Sequence, residues 1–150
     1  MYAESGVRLR PAQQRDAPAV ARLITELGHP LTEAEADNRL AFIDRSPEDE
    51  LVVAELHGEV VGLIAYRLLE SVERVEPYGW IMTMAVAAEH KRRGIGTRLL
   101  AHFEGRMKEQ GIRHLRVTSA LHRKDEAHRF YQARGYEISG VRFRKELSSQ

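Results

Sequence analysis

Val86-Ala87-Ala88-Glu89-His90-Lys91-Arg92-Arg93-Gly94-Ile95-Gly96-Thr97 is the stretch on which the reading of this chain turns. Before it, Tyr78 to Val86 reads as a strand, and the continuous apolar run Met84-Ala85-Val86 suggests a central, buried one. After it, a helix opens at Gly94 or Ile95 and runs to about Gln110, with Ile95, Leu99, Leu100, Phe103 and Met107 on one face and Gly111 as its cap. Between strand and helix lie a basic cluster and two glycines one residue apart. Glycine lets the backbone turn tightly and approach a ligand. The free N–H groups of a first helical turn, with the helix dipole, favour an anion. Lys91, Arg92, Arg93 and Arg98 add positive charge, so the physical reading is a diphosphate cradle; a solvated basic face is the competing one. No Gly-Lys-Ser/Thr ends the segment, so it is not a P-loop, and Leu99 stands where the dinucleotide fingerprint needs glycine.

Outward from this turn, strand-like and helix-like segments alternate, which favours an α/β architecture. Toward the C-terminus, Ile112 to Ser119 reads as a strand and Asp125 to Arg134 as a helix stopped by Gly135. Tyr136 to Ser139 and Val141 to Leu147 follow as two strands around Gly140. Toward the N-terminus, Leu69 to Pro77 is polar and acidic and reads as a loop. Leu51 to Leu56 and Val60 to Leu68 read as a hairpin about His57-Gly58. Thr32 and Glu35 form a capping box for a helix to about Asp44. Asp16 is an N-cap candidate for a helix through Leu27, closed by Gly28-His29-Pro30, and Val7 to Arg10 is a short first strand.

The 150 residues suit one domain, 1–150, and 43% hydrophobic content suffices for a core at that length. A formal net charge of +1 argues against a nucleic-acid protein held by bulk charge. With no cysteine there is no disulfide framework, thiolate metal site or acyl-cysteine intermediate, which fits a reducing compartment. Seven histidines without paired spacing give no metal site. The first residues carry no signal-peptide pattern and no run reaches membrane-spanning length, so a soluble cytoplasmic protein is expected.

Lys91-Arg92-Arg93-Gly94-Ile95-Gly96 resembles the Arg/Gln-x-x-Gly-x-Gly/Ala signature of the GNAT superfamily of N-acetyltransferases, with Lys91 a mild departure. Glu126-Ala127-His128-Arg129-Phe130-Tyr131-Gln132-Ala133-Arg134-Gly135-Tyr136 resembles the family's Ala-x-x-Phe-Tyr-x-x-x-Gly-Phe/Tyr motif. The likeness reaches Val7–Ala12 with Asp16, the hairpin Val53–Gly62 and Arg142–Leu147, nearly the whole chain. It implies a mixed, mostly antiparallel sheet of six to seven strands flanked by about four helices, splayed near Val86 to admit acetyl-CoA. By this resemblance, backbone groups of Met84, Ala85 and Val86 hold the pantetheine arm and the pyrophosphate lies over Arg92 to Thr97 beside Lys91. Lys124 lies near the same cofactor.

The implied reaction is attack of a neutral amine on the thioester within a ternary complex, with departure of the CoA thiolate. Tyr131 occupies the family position of the acid that protonates the sulfur, and a phenol with a pKa of about 10 stays protonated at neutral pH. A core aromatic beside Phe130 is the alternative role for Tyr131. A backbone N–H near Val86 would polarise the carbonyl. Trp80-Ile81-Met82-Thr83-Met84 carries no carboxylate where many relatives have one, which leaves Glu26, Glu73, Glu76 and His122 as candidate bases. Ser119 and the histidines keep a covalent route formally open, and His128 suits helix packing or a hydrogen bond.

The Ala-His-Arg-Phe-Tyr form of the motif, with Arg142-Phe143-Arg144-Lys145-Glu146-Leu147, resembles small-molecule members, aminoalkylphosphonate acetyltransferases among them. The expected partners are acetyl-CoA and an amine acceptor, with neither nucleic acid nor membrane, and the family suggests a homodimer. An enzyme acting on protein N-termini or lysines, or an acyl-CoA sensor without turnover, are the competing readings.

Overall fold

The computed structural model describes residues 6–119 and 124–149 and divides into two compact units, residues 1–117 and 118–150. In the first, β1 (Val7–Pro11), β2 (Asp49–Leu56), β3 (Glu59–Ser71), β4 (Arg74–Val86) and β5 (His114–Val117) form one sheet in that order. The first three pairings are antiparallel and β4–β5 is parallel. The helices are α1 (Ala17–Leu27), α2 (Glu33–Arg45) and α3 (Ile95–Glu109).

Opposite faces of the strands take different helices. On one, Leu51, Val53, Leu63 and Ala85 share a core with Val20, Ala21 and Leu23 of α1 and Ala36 and Leu40 of α2. On the other, α3 lies close over the sheet because two strand positions lack a side chain. A Cβ at Gly79 would meet Sδ of Met107 at 2.5 Å and Cζ of Phe103 at 3.1 Å. One at Gly62 would meet Cγ2 of Ile95 at 3.2 Å and Cδ1 of Leu99 at 3.3 Å. Below the helix, Tyr66 donates to Glu50 and stacks edge-on with Phe103 (centroids 4.9 Å apart), while Arg106 Nη2 donates to Glu50 Oε1 at 3.2 Å. Burial would push the Glu50 carboxyl up, but these two donors outweigh it and hold it low; burial lowers the neighbouring His102.

Local signals account for most boundaries. Thr32 and Glu35 form the reciprocal capping box of α2. His57 and Gly58 both take positive φ (51° and 81°), as a two-residue hairpin turn requires. α1 and α3 end in Schellman turns: His29 N–H donates to Ile24 O and Gly28 N–H to Thr25 O, while Ile112 N–H donates to Met107 O and Gly111 N–H to Lys108 O.

Three expectations are corrected. Residues 69–77 are not a loop: β3 and β4 continue to a two-residue turn at Val72-Glu73, paired Leu69↔Tyr78 and Ser71↔Arg74. Both faces of this extension meet water, with Val72 and Val75 fully exposed, so no hydrophobic alternation was needed, and Pro77, lacking an N–H, interrupts the ladder. Asp16 stands at the N-cap position of α1, as expected, but its side chain makes no capping hydrogen bond to the helix. Its buried carboxylate instead takes Arg10 Nη1 and Nη2 (2.8 and 2.9 Å) and the Gln13 N–H (2.7 Å). The sheet has five strands among the described residues, not six to seven, because Tyr136–Ser139 and Val141–Leu147 join no ladder. Val141 and Phe143 alternate with Arg142 and Arg144 as a strand would, but alternation selects a face without supplying a backbone partner, and both apolar side chains are exposed.

In the second unit, a wide turn Lys124–His128 leads into α4 (Arg129–Gln132). Gly135 (φ 90°) closes it in a third Schellman turn, with Tyr136 N–H donating to Tyr131 O and Gly135 N–H to Gln132 O.

Burial alone would raise the Asp16 carboxyl, but Arg10 and the Gln13 N–H hold it below its ordinary value. Its stabilising contribution is therefore complete above the unfolded carboxylate pKa of about 3.9 and is lost as pH falls through the lower folded value. Asp16→Ala, which removes the bidentate partner of the mostly buried Arg10 and leaves it Glu55 at 3.4 Å and Pro11 O at 3.2 Å, is expected to cost about 2 kcal/mol in urea denaturation at pH 7, with a smaller difference from the parent chain below about pH 3.

Candidate active site

The hydrogen-bonding directions of β4 define the site. In a strand, N–H and C=O groups of successive residues point to opposite edges. Ala87 N–H donates to Val61 O of β3 at 2.8 Å, so Ala87 and Ala85 face β3, and the N–H and C=O of Val86 and Met84 face the other edge. That edge is laddered to β5 only from Tyr78↔His114 to Ile81↔Val117. β4 then runs five residues further, and among the described residues no strand pairs with that edge. The register against β3 slips at this junction: Ala65 pairs Thr83 and Tyr66 pairs Ile81, so Met82 is bulged and 43% exposed. A row of backbone donors and acceptors at Met84 and Val86 is thus left beside a ladder that has stopped.

This row leads directly into the basic turn. Residues 88–90 make one 3₁₀ turn, with His90 N–H donating to Ala87 O at 2.9 Å. Arg92 (φ 66°) and Gly94 (φ 82°) both adopt left-handed backbone, which costs a residue with a side chain roughly 1–2 kcal/mol. Such turns form concave arrays of N–H groups suited to anions. Gly94 is the N-cap of α3 and, as glycine, provides no capping side chain for the first helical turn. Ile95 is 1% exposed and anchors the helix start in the core, whereas Thr97 faces outward. Lys91, Arg92 and Arg93 are exposed around the turn. Arg98 does not join them: its guanidinium donates to Val7 O at 2.7 Å and ties α3 to β1.

The remaining candidates separate. Tyr131 is buried in the second unit, edge-on to Phe130 (5.2 Å) and Tyr136 (5.7 Å), with Arg134 over the Phe130 ring at 3.8 Å. The Lys124 side chain and His122 lie outside the described residues. Glu76 accepts from Arg113 (3.0 Å) and lies 2.9 Å from His114 Nε2; Arg113 above all holds its carboxyl low. It also precedes Val86 by ten strand positions, roughly 30 Å. Glu73 sits at the exposed hairpin tip. Glu26 accepts from the Ala88 N–H at 2.8 Å, a contact without a sequence signature because 62 positions separate the two. A shallow cleft of about 420 Å³ runs along α1 toward Leu31 and Glu33, and two of its three charged members, Arg22 and Glu26, are already committed to backbone partners. Among the described residues, no cluster of His, Cys, Asp or Glu could hold a metal ion and no helix is long and apolar enough to cross a membrane.

A family model described as the acetyltransferase (GNAT) family matches residues 17–136. This chain belongs to the GNAT acetyltransferase family. It is 32% identical over 145 residues to an aminoalkylphosphonate N-acetyltransferase of Salmonella typhimurium strain LT2, covering 93% of this chain and 90% of that one. Family and relative together make the GNAT chain an acyltransferase. Solved structures agree on the fold. A GNAT family acetyltransferase from Staphylococcus aureus superposes with TM-score 0.79 at 22% identity, covering 95% and 99% of the two chains. A protein described as a transcriptional regulator from Bacillus halodurans C-125 reaches 0.83 at 20% identity, covering 94% and 99%.

Left-handed backbone at Gly94 strains any side chain there, and a side chain at Gly96 would stand beside the first-turn amides that an anion would approach. Gly94→Val and Gly96→Val are expected to weaken CoA binding by about tenfold or more, a loss of about 1.4 kcal/mol, in calorimetric titration. Circular dichroism should still show a folded chain.

Proposed function

We propose that this GNAT chain, acting as one N-acetyltransferase domain over residues 1–150, transfers an acetyl group from acetyl-CoA to a primary amine of a small molecule by direct attack in a ternary complex. The observation that carries the reading is the continuity of the open β4 edge with the left-handed turn and the start of α3. An extended amide chain ending in a diphosphate matches that sequence of features. The family match crosses the boundary between the two compact units, which supports treating them as one functional domain.

In this reading Met84 and Val86 offer their outward N–H and C=O groups to the pantetheine amides, and Ala85 supplies a small buried side chain between them. The diphosphate is received by Gly94, Ile95, Gly96 and Thr97, with charge from Lys91, Arg92 and Arg93; Lys124 is a further cofactor contact. The Val86 N–H is the donor toward the developing oxyanion. Tyr131 protonates the departing thiolate. Proximity in the ternary complex supplies most of the acceleration, and no covalent acyl-enzyme is needed. The 32% identical relative, named for an aminoalkylphosphonate, supports a small-molecule acceptor with a primary amine. The absence of cysteine lets thiol release be read without background from the protein.

CoA-thiol release from acetyl-CoA, measured across aminophosphonates, polyamines, amino acids, aminoglycosides and short peptides, is expected to give a saturable small-molecule acceptor. Turnover confined to peptides would move the activity to protein substrates, and tight CoA binding without any turnover would leave an acyl-CoA sensor. With the acceptor in hand, Tyr131→Phe is expected to lower kcat about 100-fold, at the lower end of general-acid contributions, with little change in CoA affinity. Equal activity would remove Tyr131 as the acid.

A further inference from the structure

Glu26 stands among the candidate bases, yet its contacts describe a different task. It lies four residues after Arg22 on α1, so the two side chains share one helix face. Arg22 Nη2 donates to Val60 O at 3.0 Å, at the start of β3, and Glu26 Oε1 accepts from the Ala88 N–H at 2.8 Å, just past the end of β4. Between these points Ala87 N–H donates to Val61 O at 2.8 Å. The adjoining backbone pairs 60–61 and 87–88 are thus fastened to each other and to one helix. The chain then enters the 3₁₀ turn and, within six residues of Ala88, reaches the left-handed Gly94.

We propose that Glu26 is a positioning residue for the anion-binding turn: by holding the Ala88 N–H it fixes where the chain leaves β4 and so aims the amides at the start of α3. Three observations favour this over proton transfer. The carboxylate oxygen is already accepting a backbone hydrogen bond. Its partner lies on the segment that joins the open strand edge to the helix. Arg22 repeats the attachment one helical turn earlier, which a lone base would not require. The inference rests on the acetyl-CoA reading of that turn, and it predicts an effect on CoA rather than on the amine.

The test compares wild type, Glu26→Ala and Glu26→Gln by CoA calorimetry and by steady-state kinetics over pH. Glutamine keeps a carbonyl oxygen that can accept from Ala88 but cannot act as a base. Glu26→Ala is expected to raise the CoA Kd and the acetyl-CoA KM about tenfold, the effect of losing one charge-assisted hydrogen bond, with kcat changed less than about twofold. Glu26→Gln is expected to restore both to within about twofold of wild type and to retain the acidic limb of the pH–rate profile. Unchanged CoA affinity in Glu26→Ala would overturn the proposal, as would a Glu26→Gln variant that binds CoA normally but loses kcat and the acidic limb. Failure of the wild-type chain to bind CoA would instead overturn the cofactor reading beneath it.

Discussion

Everything in the first unit is arranged around the unequal edges of β4. One edge is laddered to β3 along its length and continues through Ala87 to Val61; the other is laddered only as far as Ile81↔Val117. Backbone N–H and C=O groups taken from water without a partner are costly, so a strand that remains half paired needs solvent or a ligand along the open side. The bulge at Met82 falls where the parallel ladder ends, and bulges commonly mark where pairing stops. Strand polarity then delivers the open edge to a helix N-terminus, so one short segment carries both amide partners and a partial positive charge.

That arrangement works only if α3 is held at one height above the sheet. Gly62 and Gly79 set the approach, since a methyl group at Gly79 would collide with Met107 and one at Gly62 would press tightly on Ile95 and Leu99. Phe103, Leu99 and Ile95 are essentially inaccessible to solvent, so displacing the helix would open apolar volume at about 25 cal/mol for each Å² returned to water. Polar contacts then remove the remaining freedom. Arg106 and Tyr66 meet at Glu50 under the C-terminal half of the helix, and Arg98 reaches Val7 near its start. The packing fixes the distance from the sheet, and these directional bonds oppose sliding along it.

The sequence was most legible where a local chemical signal coincided with a structural demand. The Thr32–Glu35 capping box, the left-handed pair His57-Gly58 and the glycines ending α1, α3 and α4 each act within a few residues, and each lies where the pattern places it. The strand-to-helix turn at Gly94 was legible for the same reason, and the two family motifs led to the family that the chain proves to belong to. Local pattern failed where partners were distant or absent. The β3–β4 extension buries neither face, so Leu69 to Pro77 carried no period of two. Asp16 had the chemistry of a cap but met Arg10 across a turn, and a bidentate guanidinium outcompeted the helix amides. Arg142 to Leu147 had the alternation of a strand without a ladder to join. Glu26 and Ala88 are joined by the fold alone.

The carboxylates also bear on how the reaction proceeds. A general base works best with a pKa near the operating pH, whereas Glu50 is held below the ordinary range by Tyr66 and Arg106, and Glu55 and Glu76 by arginine partners. A carboxylate kept ionised so firmly accepts a proton poorly. Glu26 is engaged by a backbone amide, and Glu73 lies at the far end of a hairpin whose other end carries the open edge. In the proposed reading, fixed backbone dipoles and cations would surround the CoA portion of the thioester, while Glu26 and Glu50 serve to hold the frame. Rate acceleration built on such a frame is one of position and electrostatic preorganisation, in which the amine is captured beside an already oriented carbonyl, and the demands on any proton acceptor are correspondingly small.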